Sequence, residues 1–253
     1  MKTIWITGGS TGIGAATAVE FNKHNWRVII SSRNLNNLEK VKDKVLKISQ
    51  NKEFYIIKCN ISDKLETENV VKNIEKKIAP IDLALLNAAA YSPNKTQEFN
   101  LENFETLIDV NLKGTLNCIN NLQKEMGLRK KGHISIVSSP VGYRGLPTAA
   151  AYGMTKAGLI NLAESLYFDF KKKGIKISII NPGFIESEST NLNTFPMPFK
   201  KSSEYAAKKI YFGLTKSYKF EIIFPYFFIF LLKIGRMLPY KIYFYLIKKI
   251  TGL

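Results

Sequence analysis

Ile4-Trp5-Ile6-Thr7-Gly8-Gly9-Ser10-Thr11-Gly12-Ile13-Gly14 is the stretch on which the fold turns. Residues 4–7 form a short apolar run that stops at a glycine pair, as a buried parallel strand does. Residues 12–23 then carry Ala and Val at helical spacing. Between strand and helix, glycine suits a turn in which a Cβ would obstruct the tight bend, the approach of a phosphate and close helix–strand packing. The start of the helix adds N–H donors and a positive partial charge. Gly8, Ser10, Thr11, Gly12, Ile13 and Gly14 are therefore candidates for cradling a dinucleotide, against the plainer reading of a structural loop.

Outward from this turn, apolar runs and helical stretches alternate. Strands are expected at 26–32, 54–59, 81–87, 134–138 and 176–180, and helices at 35–49, 66–78, 101–126 and 149–173. On the helix at 35–49, Leu38, Val41, Val45 and Ile48 form one stripe. Nearly continuous apolar strands separated by helices indicate an α/β fold, a doubly wound parallel sheet covered on both faces, Rossmann-like and built as a single domain. Ligands of such sheets sit at the carboxyl ends of the strands, where the strand order reverses.

The second strand ends in Ser32 and Arg33, with no acidic residue. An acid there would bind a ribose 2′-hydroxyl, whereas the planar fork of Arg33 matches a 2′-phosphate and Ser32 adds a hydrogen bond. NADP is expected over NAD, the alternative being a merely solvated Arg33. Farther on, Tyr152-Gly153-Met154-Thr155-Lys156 sets a phenol and an ammonium four residues apart, on one face of a helix. A cation beside a phenol favours its ionised form, so the pair can exchange a proton with a carbonyl oxygen.

The glycine turn, Asn87-Ala88-Ala89, Asn111, Ser138-Ser139, Tyr152 with Lys156, and Asn181-Pro182-Gly183 stand in an order and spacing that resembles the short-chain dehydrogenase/reductase family over about residues 1–190. The resemblance implies an NAD(P)-dependent oxidoreductase moving a hydride between nicotinamide and a carbonyl or alcohol. It implies Ser139 as the group that hydrogen-bonds the substrate oxygen, with Ser138 the alternative. Tyr152 would be the acid for reduction and the base for oxidation, Lys156 would hold the nicotinamide ribose and lower the tyrosine pKa, and Asn111 would anchor a water in a proton relay. Asn60, Ile61, Asn87 and Ala88 would line the cofactor, and Pro182, Gly183, Phe184 and Ile185 the nicotinamide. Departures from the family pattern are Leu86-Asn87-Ala88-Ala89 where it has two Asn and a Gly, Asn60 where it has Asp, and Ser187 where it has Thr. A homodimer through the helices at 101–126 and 149–173 is also implied, as is a substrate-covering loop at 193–201.

Of 253 residues, 45% are hydrophobic and 23% charged, ordinary for a globular chain, but the net charge is +17. Nucleic acid, an anionic membrane surface or an acidic substrate would each fit that charge, as would a Lys-, Asn- and Ile-rich composition. No basic-aromatic strand face or nucleic-acid motif accompanies it, so nucleic acid is not expected. Cys59 and Cys118 have no metal or disulfide spacing, His24 and His133 have no partners at ligand spacing, and no metal is expected. The N-terminus has no secretory pattern, which leaves the cytoplasm as the expected compartment.

After residue 190 the composition changes. A helix at 204–216 and a strand at 220–224 are expected, and they complete a catalytic domain over 1–225. Residues 226–253 then form a hydrophobic and basic helical extension: YFFIFLL, Lys233, Arg236, Pro239 and KIYFYLIKKI. From Lys200 onward there are eleven basic and two acidic residues, and so nine of the seventeen net charges. The first apolar block is too short to span a bilayer, which needs about 20 residues. Two readings stay open. In one the tail lies in an anionic membrane interface at the inner face of a membrane, which suits an apolar or lipid-like substrate. In the other it packs on its own domain or on a second copy. A catalytically silent nicotinamide sensor or scaffold is the alternative function, one that loss of Ser139, Tyr152 or Lys156 would have favoured.

Overall fold

In a computed structural model, residues 1–92, 99–187, 190–192 and 197–252 are described. Seven strands build one parallel sheet: β1 Thr3–Thr7, β2 Arg27–Ser32, β3 Phe54–Lys58, β4 Leu83–Leu86, β5 Gly132–Val137, β6 Ile175–Pro182 and β7 Glu221–Phe224. Their order is β3-β2-β1-β4-β5-β6-β7, so the winding reverses between β1 and β4. The glycine turn follows β1 and lies at that reversal. Because every pairing is parallel, all carboxyl ends share one edge of the sheet.

The helices are α1 Gly12–Lys23, α2 Leu35–Ile48, α3 Lys64–Asn73, α4 Leu101–Leu107, α5 Gly114–Leu128, α6 Ala150–Lys172, α7 Ser203–Phe212, α8 Tyr226–Met237 and α9 Tyr240–Thr251. They cover both faces, as strands apolar at every position require. On one face Ile4 and Ile6 of β1 pack with Phe21 of α1, Leu38 and Val45 of α2 and Ile210 of α7. On the other, Trp5 packs with Val71 of α3, Cys118 and Leu122 of α5, Leu159 and Phe170 of α6 and Ile229 of α8.

The expected strands and helices fall in place with shifts at their ends, except that three helices change gauge. Residues Ile74–Ile78, Ile108–Lys113 and Gly213–Ser217 are π-helical turns. The single long helix expected at 101–126 is therefore α4, a π turn and α5. Residues 193–196 of the expected covering loop lie outside the described residues. Its far end is anchored where Ile185 bridges Lys201, with Lys201 N–H donating to the Phe184 carbonyl at 3.0 Å and Glu186 N–H to the Lys201 carbonyl at 2.9 Å.

The tail forms α8 and α9, and no helix among the described residues is long and apolar enough to cross a membrane. Ile229 of α8 is fully buried, and Phe228 and Leu232 pack beside it. Tyr243 of α9 is buried and donates its hydroxyl to the Gly145 carbonyl at 2.7 Å.

Candidate active site

Close approach explains the glycines of the first turn. Gly8 holds φ +65°, and a Cβ there would lie 2.7 Å from Ala88 Cα. A Cβ on Gly14 would lie 2.2 Å from the Gly8 carbonyl oxygen and 2.7 Å from Asn87 Nδ2. Asn87 ties the turn to β4: its Nδ2 donates to the carbonyls of Thr7 at 3.1 Å and Gly8 at 3.0 Å, while the Thr7 hydroxyl accepts the N–H groups of Asn87 and Ala88. The family's second Asn and Gly are thus dispensable for this tie, since one amide makes it.

At the mouth of the cradle, Thr11 precedes α1 without capping it through its side chain, and the first turn carries no acidic residue. The donors of Gly12, Ile13 and Gly14 and the positive helix end stay available to an anion, and Ser10 and Thr11 are part-exposed beside them. The residues present fit a pyrophosphate. Ser187 packs its Cβ against Gly12.

On the adenine side, Ser32 closes a turn with Asn34, accepting its N–H and donating to its carbonyl, while Arg33 is exposed at the end of β2. Asn60, at the end of neighbouring β3, accepts the Ser62 N–H with Oδ1 at 3.3 Å and keeps a lone pair on that oxygen. Ile61 is buried against Gly114.

At the other side of the reversal, β5 ends in two serines with different tasks. Ser138 is buried and donates to the Lys156 carbonyl at 2.8 Å. The Ser139 hydroxyl instead accepts the Val141 N–H at 3.4 Å and lies beside the Tyr152 phenol, whose pKa it draws down. Of the two alternatives, Ser139 is the one at the tyrosine. Lys156 is buried one turn along α6, with Nζ donating to the Val137 carbonyl at 2.9 Å and lying 5.4 Å from the Tyr152 ring centroid. Burial pushes its ammonium down to about 8.

The phenol of Tyr152 is held above its usual range, by burial first and then by Tyr91, with Ser139 opposing. The anticipated lowering by Lys156 is not among the influences on this phenol, the amine being engaged by the Val137 carbonyl. Tyr91 had no expected role. Its ring meets that of Tyr152 edge-on, with centroids 4.9 Å apart and planes at 83°. The one signal for it was proximity, two residues beyond Ala89.

Asn111 is buried in the π turn between α4 and α5. Its Oδ1 accepts the Ala90 N–H at 2.7 Å, and its Nδ2 donates to the Ala90 carbonyl and to Thr155 Oγ1, both at 3.1 Å. Thr155 in turn donates to the Tyr152 carbonyl at 2.8 Å. One amide thereby joins the residue before Tyr91 to the second turn of α6. A π turn inserts an extra residue per turn and re-aims side chains, which is how an asparagine fits inside this helix. At the end of β6 Pro182 is buried, and just past it Gly183 N–H donates to the Phe224 carbonyl at 2.8 Å, Ile185 is buried, and Phe228 of α8 packs over Gly183.

His24 stacks on Tyr211 at 4.0 Å beside Glu20. His133 shares a 2.8 Å hydrogen bond with Ser178, away from the carboxyl edge. Both histidines are thus engaged in packing.

A parallel sheet with a glycine cradle at its reversal and a serine–tyrosine–lysine cluster beside it defines a class, that of dinucleotide-dependent oxidoreductases. Comparison with known proteins narrows it: the short chain dehydrogenase family model matches residues 2–195, and the chain belongs to that family. A 3-oxoacyl-(acyl-carrier-protein) reductase, FabG, of Rickettsia typhi is 36% identical over 193 residues, 75% of each chain. An uncharacterized oxidoreductase of Myxococcus xanthus is 29% identical over 225 residues, 89% of this chain and 88% of the other. Among solved structures, ElxO with NADP bound superposes with TM-score 0.79 at 28% identity, covering 89% of this chain and 98% of that one.

Proposed function

We propose that the chain is an NADPH-preferring carbonyl reductase, working as an alcohol dehydrogenase in reverse, on a small apolar or lipid-like substrate. The observation that carries this reading is Ser139 beside the Tyr152 phenol with the Lys156 ammonium 5.4 Å from the ring centroid. A nicotinamide sensor or scaffold would have no use for that cluster. ElxO, solved with NADP, and the FabG relative, named a reductase, support the cofactor and the direction.

The cradle of Gly8, Ser10, Thr11, Gly12, Ile13 and Gly14 would hold the pyrophosphate. Arg33 and Ser32 would meet the 2′-phosphate, Asn60 and Ile61 the adenine, Asn87 and Ala88 the middle of the cofactor, and Pro182, Gly183 and Ile185 the nicotinamide, which supplies the hydride. Ser139 and Tyr152 then bind the carbonyl oxygen as donors. Burial keeps the phenol protonated, which suits a general acid that delivers its proton as negative charge grows on that oxygen. Lys156 opposes the charge left on Tyr152, and Asn111 positions both by fixing Ala90 against α6.

The wider reading places residues 1–225 as the catalytic domain and residues 226–253 as an extension docked on it, in the cytoplasm and peripheral at the inner face of a membrane. A homodimer through α5 and α6 is supported by Leu116, Met154 and Phe168, apolar and exposed on those helices.

NADPH oxidation with a panel of aldehydes, ketones, sterol-like and acyl carbonyls tests the activity. Tyr152→Phe should lower the rate by about 10²–10⁴-fold with nucleotide binding kept; full activity in that variant would refute the mechanism. Arg33→Glu should reverse the preference toward NADH, and an unchanged NADPH/NADH ratio would remove Arg33 from the site.

A further inference from the structure

Helix α8 is apolar on two opposite sides. Ile229, with Phe228 and Leu232, faces the core. Phe227, Phe230, Leu231 and Ile234, at helical spacings of three and four, form a stripe on the other side and are 63%, 46%, 48% and 44% exposed. On α9, Tyr243 faces the protein while Ile242, Phe244 and Tyr245 face out. A monomer in water seldom presents so continuous an apolar surface.

Cations surround this surface. Residues 226–253 contain Lys233, Arg236, Lys241, Lys248 and Lys249 and no acidic residue. Lys233 pairs with Glu221 beneath the helix, and the other four are exposed. Two copies meeting through this face would oppose four cations with four, without a counter-charge. An anionic surface would satisfy both the charge and the apolar stripe.

The helices are clamped to the active-site rim. Arg144 lies between Ser139 and Tyr152 in the chain, and its Nη1 donates to the Gly235 and Leu238 carbonyls at 2.7 and 2.6 Å. The guanidinium stacks on Tyr243 at 3.9 Å and Tyr240 at 4.9 Å. Lys233 and Tyr143 converge on Glu221, the first residue of β7. Phe228 packs over Gly183 and against Phe184 and Phe199, with centroids 5.7 and 5.8 Å away.

From this we infer that α8 and α9 dock on an anionic lipid bilayer and turn the active-site rim toward it, so that an apolar carbonyl substrate enters from the lipid past Phe228. The substrate half of this inference rests on the reductase reading; the docking half does not.

Flotation of the full chain with vesicles tests the docking. It should rise with phosphatidylglycerol/phosphatidylcholine vesicles and stay behind with phosphatidylcholine alone. Salt at 1 M, where the screening length is about 3 Å, should strip it. Lys248→Ala with Lys249→Ala should weaken partition about thirtyfold, from about fivefold per lysine. Phe227→Ser, Leu231→Ser and Ile234→Ser together should abolish it, these positions being exposed and outside the catalytic cluster.

Turnover of a short water-soluble aldehyde by the triple variant should stay at the wild-type rate. Its kcat/KM for a long-chain ketone dissolved in the vesicles should fall about tenfold or more, since the bound apolar area is lost. Failure of the wild type to float with anionic vesicles would overturn the docking whether or not any carbonyl is reduced. So would a wild-type oligomer that the triple variant dissociates and vesicles do not displace, which would assign the face to a second copy. Equal loss with both substrates would overturn entry from the lipid. A wild type that floats but reduces no carbonyl would refute the enzyme reading and, with it, the entry route, and would leave the docking standing.

Discussion

Burial sets Lys156 against its own charge. The ammonium lies in the core edge with one carbonyl acceptor, and desolvation brings it down to about 8 from an ordinary 10.5. As pH rises through about 8 the folded chain gives up a proton that the unfolded chain keeps to about 10.5. Over that interval the unfolded state binds more protons, so the stability of the ligand-free protein rises with pH from this group. Activity should move the opposite way: a neutral amine loses its charge-assisted bonds to the ribose and its support of Tyr152. Reduction rate and NADPH affinity should hold near pH 7 and fall above about pH 8, while urea midpoints climb. If both move together, the ammonium is not the group that titrates. Tyr152 and Lys156 were legible as a pair because the spacing of four is a local property of a helix. Tyr91 was not, because an aromatic in a loop has no periodicity to place it, and only the fold of residues around Ala90 brings its ring to Tyr152.

Helix α6, which carries the pair, depends on its neighbour's irregularity. The π turn Ile108–Lys113 was not legible, since no Gly or Pro marks it and the apolar spacing reads as one long helix. What selects it is tertiary: Asn111 satisfies both polar groups of Ala90 and reaches Thr155. Asn111→Leu keeps the volume and removes the bonds. It should destabilise the protein by about 1–3 kcal/mol, the cost of leaving buried backbone groups unpaired, as read by chemical denaturation. It should also lower kcat more than it raises KM, because Ala90 then no longer fixes Tyr91 against Tyr152. A stable variant with unchanged kcat would make Asn111 a spectator. At the glycine turn the demand is simpler. Gly14→Ala sets a methyl 2.2 Å from a backbone oxygen that cannot move away cheaply, and overpacking of this kind costs about 1–3 kcal/mol. Nucleotide affinity should drop with stability; an alanine that binds NADPH normally would show that the cradle is not the phosphate site.

Over the whole molecule, the alternation of strands and helices was plain over roughly the first 180 residues, because strands buried on both faces must be apolar throughout and helices must be amphipathic. The tail carried no such sign. A helix apolar all around, such as α8, does not reveal which side meets the core; Ile229 lies inside and Phe227 is exposed. This sets α8 and α9 apart energetically. Helix α8 contributes Ile229 to the same core as Trp5 and Leu159, and Lys233 to the Glu221 cluster. Helix α9 is held mainly by Tyr243 and the Arg144 stack. Removing residues 239–253 should therefore leave the melting temperature within a few degrees, since about 1 kcal/mol moves a domain of this size by about 2–4 °C. Removing 226–253 should cost several times more, because emptying the Ile229 site alone is worth about 2–5 kcal/mol and the aromatic layer on Gly183 goes with it. Equal melting temperatures for the two truncations would mean that α8 is no part of the core, and that the catalytic domain closes at β7.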